Sequence, residues 1–173
     1  QCSLNNCVVS NNILSGGNGG SAIFLSTANN CLVVANSGDG ASISTLNNCT
    51  VVRNGFVGIY ECKVNNSIVY YNNVIETGGW QNSYQSAMTN CCVPATTFAS
   101  GGSNNINNAP AFVDALHGNY RLQIGSPCID CGTPSYVTNL TDLDGNPRDV
   151  GGMVDIGASA YPGQVRSVRM SRP

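Results

Sequence analysis

Leu46-Asn-Asn-Cys-Thr-Val-Val-Arg-Asn54 decides how the chain is read, because close copies of it recur. Leu4 to Asn12 is LNNCVVSNN, Ala28 to Asn36 is ANNCLVVAN, and Val64 to Asn72 is VNNSIVYYN. Marked on the second Asn, the series is Asn6, Asn30, Asn48, Asn66 and Asn90, in steps of 24, 18, 18 and 24 residues. A unit this short cannot bury its own apolar face, so a period of 18 with insertions of six predicts a solenoid. Val, Ile, Thr, Asn and Gly are strand and turn formers, which makes the solenoid β rather than helical.

Side chains alternate along a strand, so the position after the marker and the position two beyond it share a face. The first column holds Cys7, Cys31, Cys49 and Ser67, and the second holds Val9, Val33, Val51 and Val69. Their restricted size places them in a narrow interior. The alternate columns are Val8, Leu32, Thr50, Ile68 and Ser10, Val34, Val52, Tyr70. They are too apolar for a solvated face, and such a stripe is expected to be covered by a later segment or another subunit. Val8, Leu32, Val34, Val52 and Ile68 are therefore the candidate assembly or cap-covered face. Asn12, Asn36, Asn54 and Asn72 close each strand, where Asn suits left-handed corners and stacked amides bond from coil to coil. Gly19-Gly20, Gly38-Asp-Gly40 and Gly55 to Gly58 open a further strand in each coil.

The 173 residues suit a single domain, with 42% hydrophobic content for a core. Charged residues make up 9% against a typical 25% or so, leaving a neutral polar surface. A net charge of −2 offers no basic footprint for nucleic acid or anionic lipid. No apolar run reaches the roughly 20 residues of a membrane span, so membrane insertion is not expected. Nine cysteines with a single lysine fit an extracellular or cell-surface protein.

These coils resemble right-handed parallel β-helix proteins of the pectate-lyase-like superfamily, in particular the bacterial surface proteins called choice-of-anchor Q. The later sequence carries the more specific part of the resemblance: Pro110-Ala-Phe-Val-Asp114, Gly118-Asn-Tyr-Arg-Leu122, Gly125-Ser-Pro-Cys-Ile-Asp130, Thr141-Asp-Leu-Asp-Gly-Asn-Pro-Arg148 and Val154-Asp-Ile-Gly-Ala158. These match that family's closing segment in order. It departs at Ser159-Ala160-Tyr161, where the family has an acidic and aromatic pair, and no family anchor is recognisable in residues 164–173. The expected organisation is coils over 1–88, a closing cap over 89–163 packed on the solenoid, and a tail over 164–173. The first coil is expected to continue into upstream coils or to meet a stacked second molecule, and stacking without closure makes a filament.

Catalytic chemistry has little to work with. Lyases on this fold need a strong base and a calcium site, and hydrolases need paired carboxylates. Residues 1–88 hold only Asp39, Glu61, Glu76, Arg53 and Lys63, and Glu61 with Lys63 reads as a surface ion pair. Asp142-Leu-Asp144-Gly-Asn146 lacks the calcium-loop spacing and reads as a tight turn, with Arg148 pairing a nearby carboxylate. Cys128-Ile-Asp-Cys131 has no second pair for zinc, so Cys128 or Cys131 is expected in a structural disulfide with Cys91 or Cys92. His117 reads as a solvated turn residue. Tyr70, Tyr71, Trp80 and Tyr84 are the candidate sugar-stacking residues, with aromatic packing as the competing reading. Three Asn-X-Ser/Thr matches, at Asn48, Asn65 and Asn139, are expected by chance in so Asn-rich a chain.

The sequence thus predicts an all-β, right-handed parallel β-helix of about four to five short coils with a C-terminal cap. It carries two functional expectations. One is a non-catalytic extracellular structural or adhesive module that self-associates, head to tail in a surface fibre, or meets neighbouring surface proteins. The other is a polysaccharide-binding or polysaccharide-degrading domain. No cofactor or metal ion is expected.

Overall fold

The computed structural model describes residues 2–14, 20–72, 82–95 and 99–163. Among them helix is confined to one 3-10 turn, Pro134–Tyr136, and the rest of the regular structure is strand. Sheet A contains β1 (Ser3–Asn5), β4 (Thr27–Asn29), β7 (Thr45–Asn47), β10 (Lys63–Asn65), β13 (Ser86–Thr89) and β14 (Ala99–Gly101), in that spatial order. Sheet B contains β2 (Val8–Ser10), β5 (Leu32–Val34), β8 (Thr50–Val52) and β11 (Ile68–Tyr70). Sheet C contains β3 (Ser21–Phe24), β6 (Asp39–Ser42), β9 (Ile59–Tyr60) and β12 (Ser83–Tyr84). All pairing within these sheets is parallel.

The chain visits A, B and C in turn and returns to A, an arrangement consistent with an all-β solenoid. Register explains the sequence period: Leu32 lies beside Val8 and Thr50, and Thr50 lies beside Ile68. One repeat is therefore one circuit. Parallel pairing continues beyond Thr89, since β14 joins sheet A and Cys92 bridges Ile68 and Ile106. Inside the circuits, Cys31, Val33, Cys49, Val51, Val69 and Cys91 are buried with Leu46, Val64 and Met88.

Three corner columns shape the circuit, each marked by one left-handed residue per turn of chain. The columns are Asn6, Asn30, Asn48, Asn66, Asn90; Asn11, Ala35, Arg53, Tyr71; and Leu25, Ile43, Glu61, Gln85. The expectation that Asn12, Asn36, Asn54 and Asn72 themselves take the left-handed conformation is corrected: it falls one residue earlier. At most corners the following residue turns its side chain back to the carbonyl two positions before it. Cys31 and Cys49 donate to Asn29 and Asn47, Ser67 donates to Asn65, and Ser44 donates to Ser42. Asn54 and Asn72 do the same to Val52 and Tyr70. A short side chain with a donor suits this position because a thiol, hydroxyl or amide close to the backbone can reach back and satisfy that oxygen.

Asparagines also bind one circuit to the next. Asn12, Asn36, Asn54, Asn72 and Asn82 form a chain of amide hydrogen bonds of 2.8 to 3.2 Å. Each accepting oxygen takes a second bond from the backbone N–H of the preceding Asn, as Asn54 does from Asn36. A second ladder joins Asn5, Asn29, Asn47 and Asn65 at 2.9 Å. Stacked amides use donor and acceptor in the same direction, so the row has no internal mismatch, and each buried bond contributes about 1 kcal/mol.

Candidate functional site

The outward face of sheet B meets residues from the later part of the chain. Val52 and Ile68 are buried there with Cys92, Phe112, Leu122, Cys128 and Ile156 in a second core, separate from the interior of the circuits. Two antiparallel hairpins frame it, β15 (Phe112–Asp114) with β16 (Asn119–Leu122) and β17 (Asp149–Val150) with β18 (Met153–Val154). The two parts approach closely at Gly157, whose φ of +113° suits glycine and whose added Cβ would sit 2.8 Å from Ile68 and 3.0 Å from the Thr50 hydroxyl. That hydroxyl accepts the Ala158 N–H at 2.9 Å.

From Thr133 to Asp142 the chain runs along the marker asparagines as a strap. Asn66 donates to Thr133 O, Asn48 to Tyr136 O, Asn30 to Thr141 O and Asn6 to Asp142 O. Asn139 returns a bond to the Asn6 side chain. The markers thus have a task beyond their corners: they present a row of amide donors to a segment travelling back toward the first circuit.

Charged groups concentrate where this segment folds on itself. The Asp142 carboxylate accepts from Asp144 N, Asn146 N, Asn146 Nδ2 and Ala160 N, and Asp155 accepts from Asp130 N and Tyr161 N. Arg148, only 1% exposed, donates to Ala158 O and Asp155 O. Its expected carboxylate partner is corrected to these carbonyl oxygens; burial lowers its pKa, and the nearby Asp142 and Asp155 oppose that shift only in part. Asp144 instead takes both ends of the Arg121 guanidinium, with Nε at 3.1 Å.

The cover thins toward the first circuit. Leu32 and Val34 are half-buried and Val8 is 57% exposed, so the five expected face residues span fully covered to open. A cleft of about 250 Å³ opens there, with Val8, Leu32 and Thr50 as its floor and Tyr120, Arg121 and Asp144 at its side. An apolar floor beside a guanidinium and carboxylate suits a ligand with one apolar face and several hydroxyls. Burial raises the Tyr120 phenol above its ordinary pKa, so it stays a neutral donor.

The expected aromatic site is divided. Tyr70 and Tyr71 form an edge-to-face pair with centroids 4.7 Å apart, and Tyr71 lies against Phe112, which itself meets Tyr120 edge-on. Tyr84 belongs to sheet C, stacked on Tyr60 at 5.3 Å, and Trp80 lies outside the described residues. Stacking occupies one face of each of these two rings. Glu61, expected to pair with Lys63, instead lies beside Tyr60, where its carboxylate, as acceptor first and then as a charge, raises the Tyr60 pKa. His117 is exposed, with Nδ1 2.7 Å from Asp114.

All nine cysteines are thiols in this structure. Cys91 faces the interior and contacts Val64 O, Cys131 is exposed, and Cys92 and Cys128 meet in the second core. Cys31 and Cys49 are also in contact: hydrogen bonding from Cys49 draws Cys31 down to about 7, while burial pushes Cys49 up. No protein-family model, curated protein or solved structure matches this chain.

Proposed function

We propose that this protein is a non-catalytic extracellular structural or adhesive module, built as a right-handed parallel β-helix like those of the choice-of-anchor Q surface proteins. The carrying observation is the strap, which follows the amide row from Asn66 to Asn6 and fastens circuits to one another along the whole ladder. Its acidic groups support the same reading, because Asp142 and Asp155 are engaged in holding backbone N–H groups. Such bracing suits a rod that transmits load. Electron microscopy with sedimentation tests it: fibres with a repeat of one subunit length are expected, and monodisperse monomers that degrade an acidic polysaccharide would overturn it.

The cleft beside Val8 supports a second reading, binding of a polysaccharide. Titration calorimetry with neutral and acidic oligosaccharides should then show binding that Tyr120→Ala weakens at least tenfold. Binding unchanged by that substitution removes this site from consideration.

A further inference from the structure

Cys92 and Cys128 come from the two parts of the molecule that the second core joins. Cys92 sits in the parallel stack, bridging Ile68 and Ile106. Cys128 belongs to the covering segment, where its carbonyl accepts the Ile156 N–H at 2.9 Å. Both side chains are fully buried in the same cluster. Cys92 also donates to Asn108 O at 3.2 Å, which fixes the position of its thiol.

The other cysteines are less well placed for a bond between the two parts. Cys91, next in sequence, points into the interior of the circuits, and Cys131 is exposed. Cys31 and Cys49 both lie in the interior of the circuits, so a bond between them would not join the two parts.

We propose that Cys92 and Cys128 form a disulfide that staples the covering segment to the stack. The oxidant is a small-molecule or protein disulfide. Its S–S bond breaks as the Cys92–Cys128 bond forms, the two cysteine thiols give up two electrons and two protons, and the oxidant leaves as two thiols. Attack requires a thiolate, and contact with Cys92 together with burial holds the Cys128 thiol well above its ordinary pKa. The bond therefore forms while the segment is still loose and is shielded once the core closes.

The test is to refold the full chain with glutathione disulfide, unfold it without reductant, alkylate and weigh it. Seven of the nine cysteines should be alkylated in the natural sequence, and six of eight in Cys91→Ser and in Cys131→Ser. Cys92→Ser and Cys128→Ser should each show eight alkylated thiols. Nine in the natural sequence, or retention of a disulfide in Cys92→Ser or Cys128→Ser, would overturn the assignment. As a second readout, reductant should lower the melting temperature of the oxidised protein by about 10 °C, and leave Cys92→Ser unchanged. An equal response to reductant in both proteins also overturns it.

Discussion

The stacked strands and the segment that covers sheet B both depend on side chains that bond to backbone, yet they distribute those bonds differently. In the stack the same arrangement returns at every circuit, with Asn36, Asn54 and Asn72 each making equivalent bonds to the neighbours above and below. In the cover, single residues serve many partners: Asp142 gathers four donors and Arg148 ties two carbonyls. Repetition spreads the energetic load, so one lost amide leaves the next circuits intact. A hub concentrates it.

Substitutions can break or sharpen that contrast. Arg148→Ala should have the largest effect, a loss of about 3–5 kcal/mol from removing a buried cation beside two carboxylates, seen as a lower denaturation midpoint. Asn54→Ala comes next, at about 2–3 kcal/mol, because in a buried row it strands the Asn36 backbone N–H and removes the amide that bonds Val33 O and Asn72. Asn12→Ala, at the exposed end of the same row, should cost less than about 1 kcal/mol. If Asn12 and Asn54 prove equal, the row is not acting through buried amides. Thr50→Val keeps the shape but leaves the Ala158 N–H without its acceptor, at about 1–2 kcal/mol, and amide exchange at Ala158 should report it.

Asp39→Asn should have the smallest effect and a pH signature. Burial raises the Asp39 carboxyl above its ordinary 3.8, while Val57 N and Ser42 Oγ partly oppose the shift. A raised folded pKa means the stability it contributes is present below 3.8 and is lost as pH rises through the folded value. The asparagine variant should therefore gain on the natural protein between acid and neutral pH, by less than about 1 kcal/mol given the partial exposure. Melting curves at a series of pH values measure this, and a gain toward acid would reverse the sign.

How much of this was legible in sequence depends on distance along the chain. The spacing of Asn6, Asn30, Asn48 and Asn66 carries the register of sheet B, because neighbours in the stack are also neighbours in the repeat. The inward Cys and Val columns follow from alternation and size. The corner rule was harder, since Leu25, Ile43 and Arg53 have no propensity for the left-handed conformation and adopt it under tertiary constraint. Its signal was the Cys, Ser or Asn that follows each corner. The strap left no signal, because Tyr136 and Thr141 contribute carbonyl oxygens that any residue would supply. Arg148 misled for a related reason: a charged side chain suggests a charged partner, whereas this one bonds to carbonyls created by the fold.

The strap also orders events in time. Asn6 meets the carbonyl of Asp142 across 136 residues of chain, whereas successive circuits are joined at separations of 18 to 24. During synthesis the early circuits have their neighbours soon after they emerge, but the outer surface of sheet B waits for Ile156 before its apolar side chains are shielded. Closing that long loop is the slow entropic step. Refolding should accordingly show rapid gain of strand signal followed by a slower phase that buries Tyr120, and the interval between them is when the chain is most exposed to aggregation.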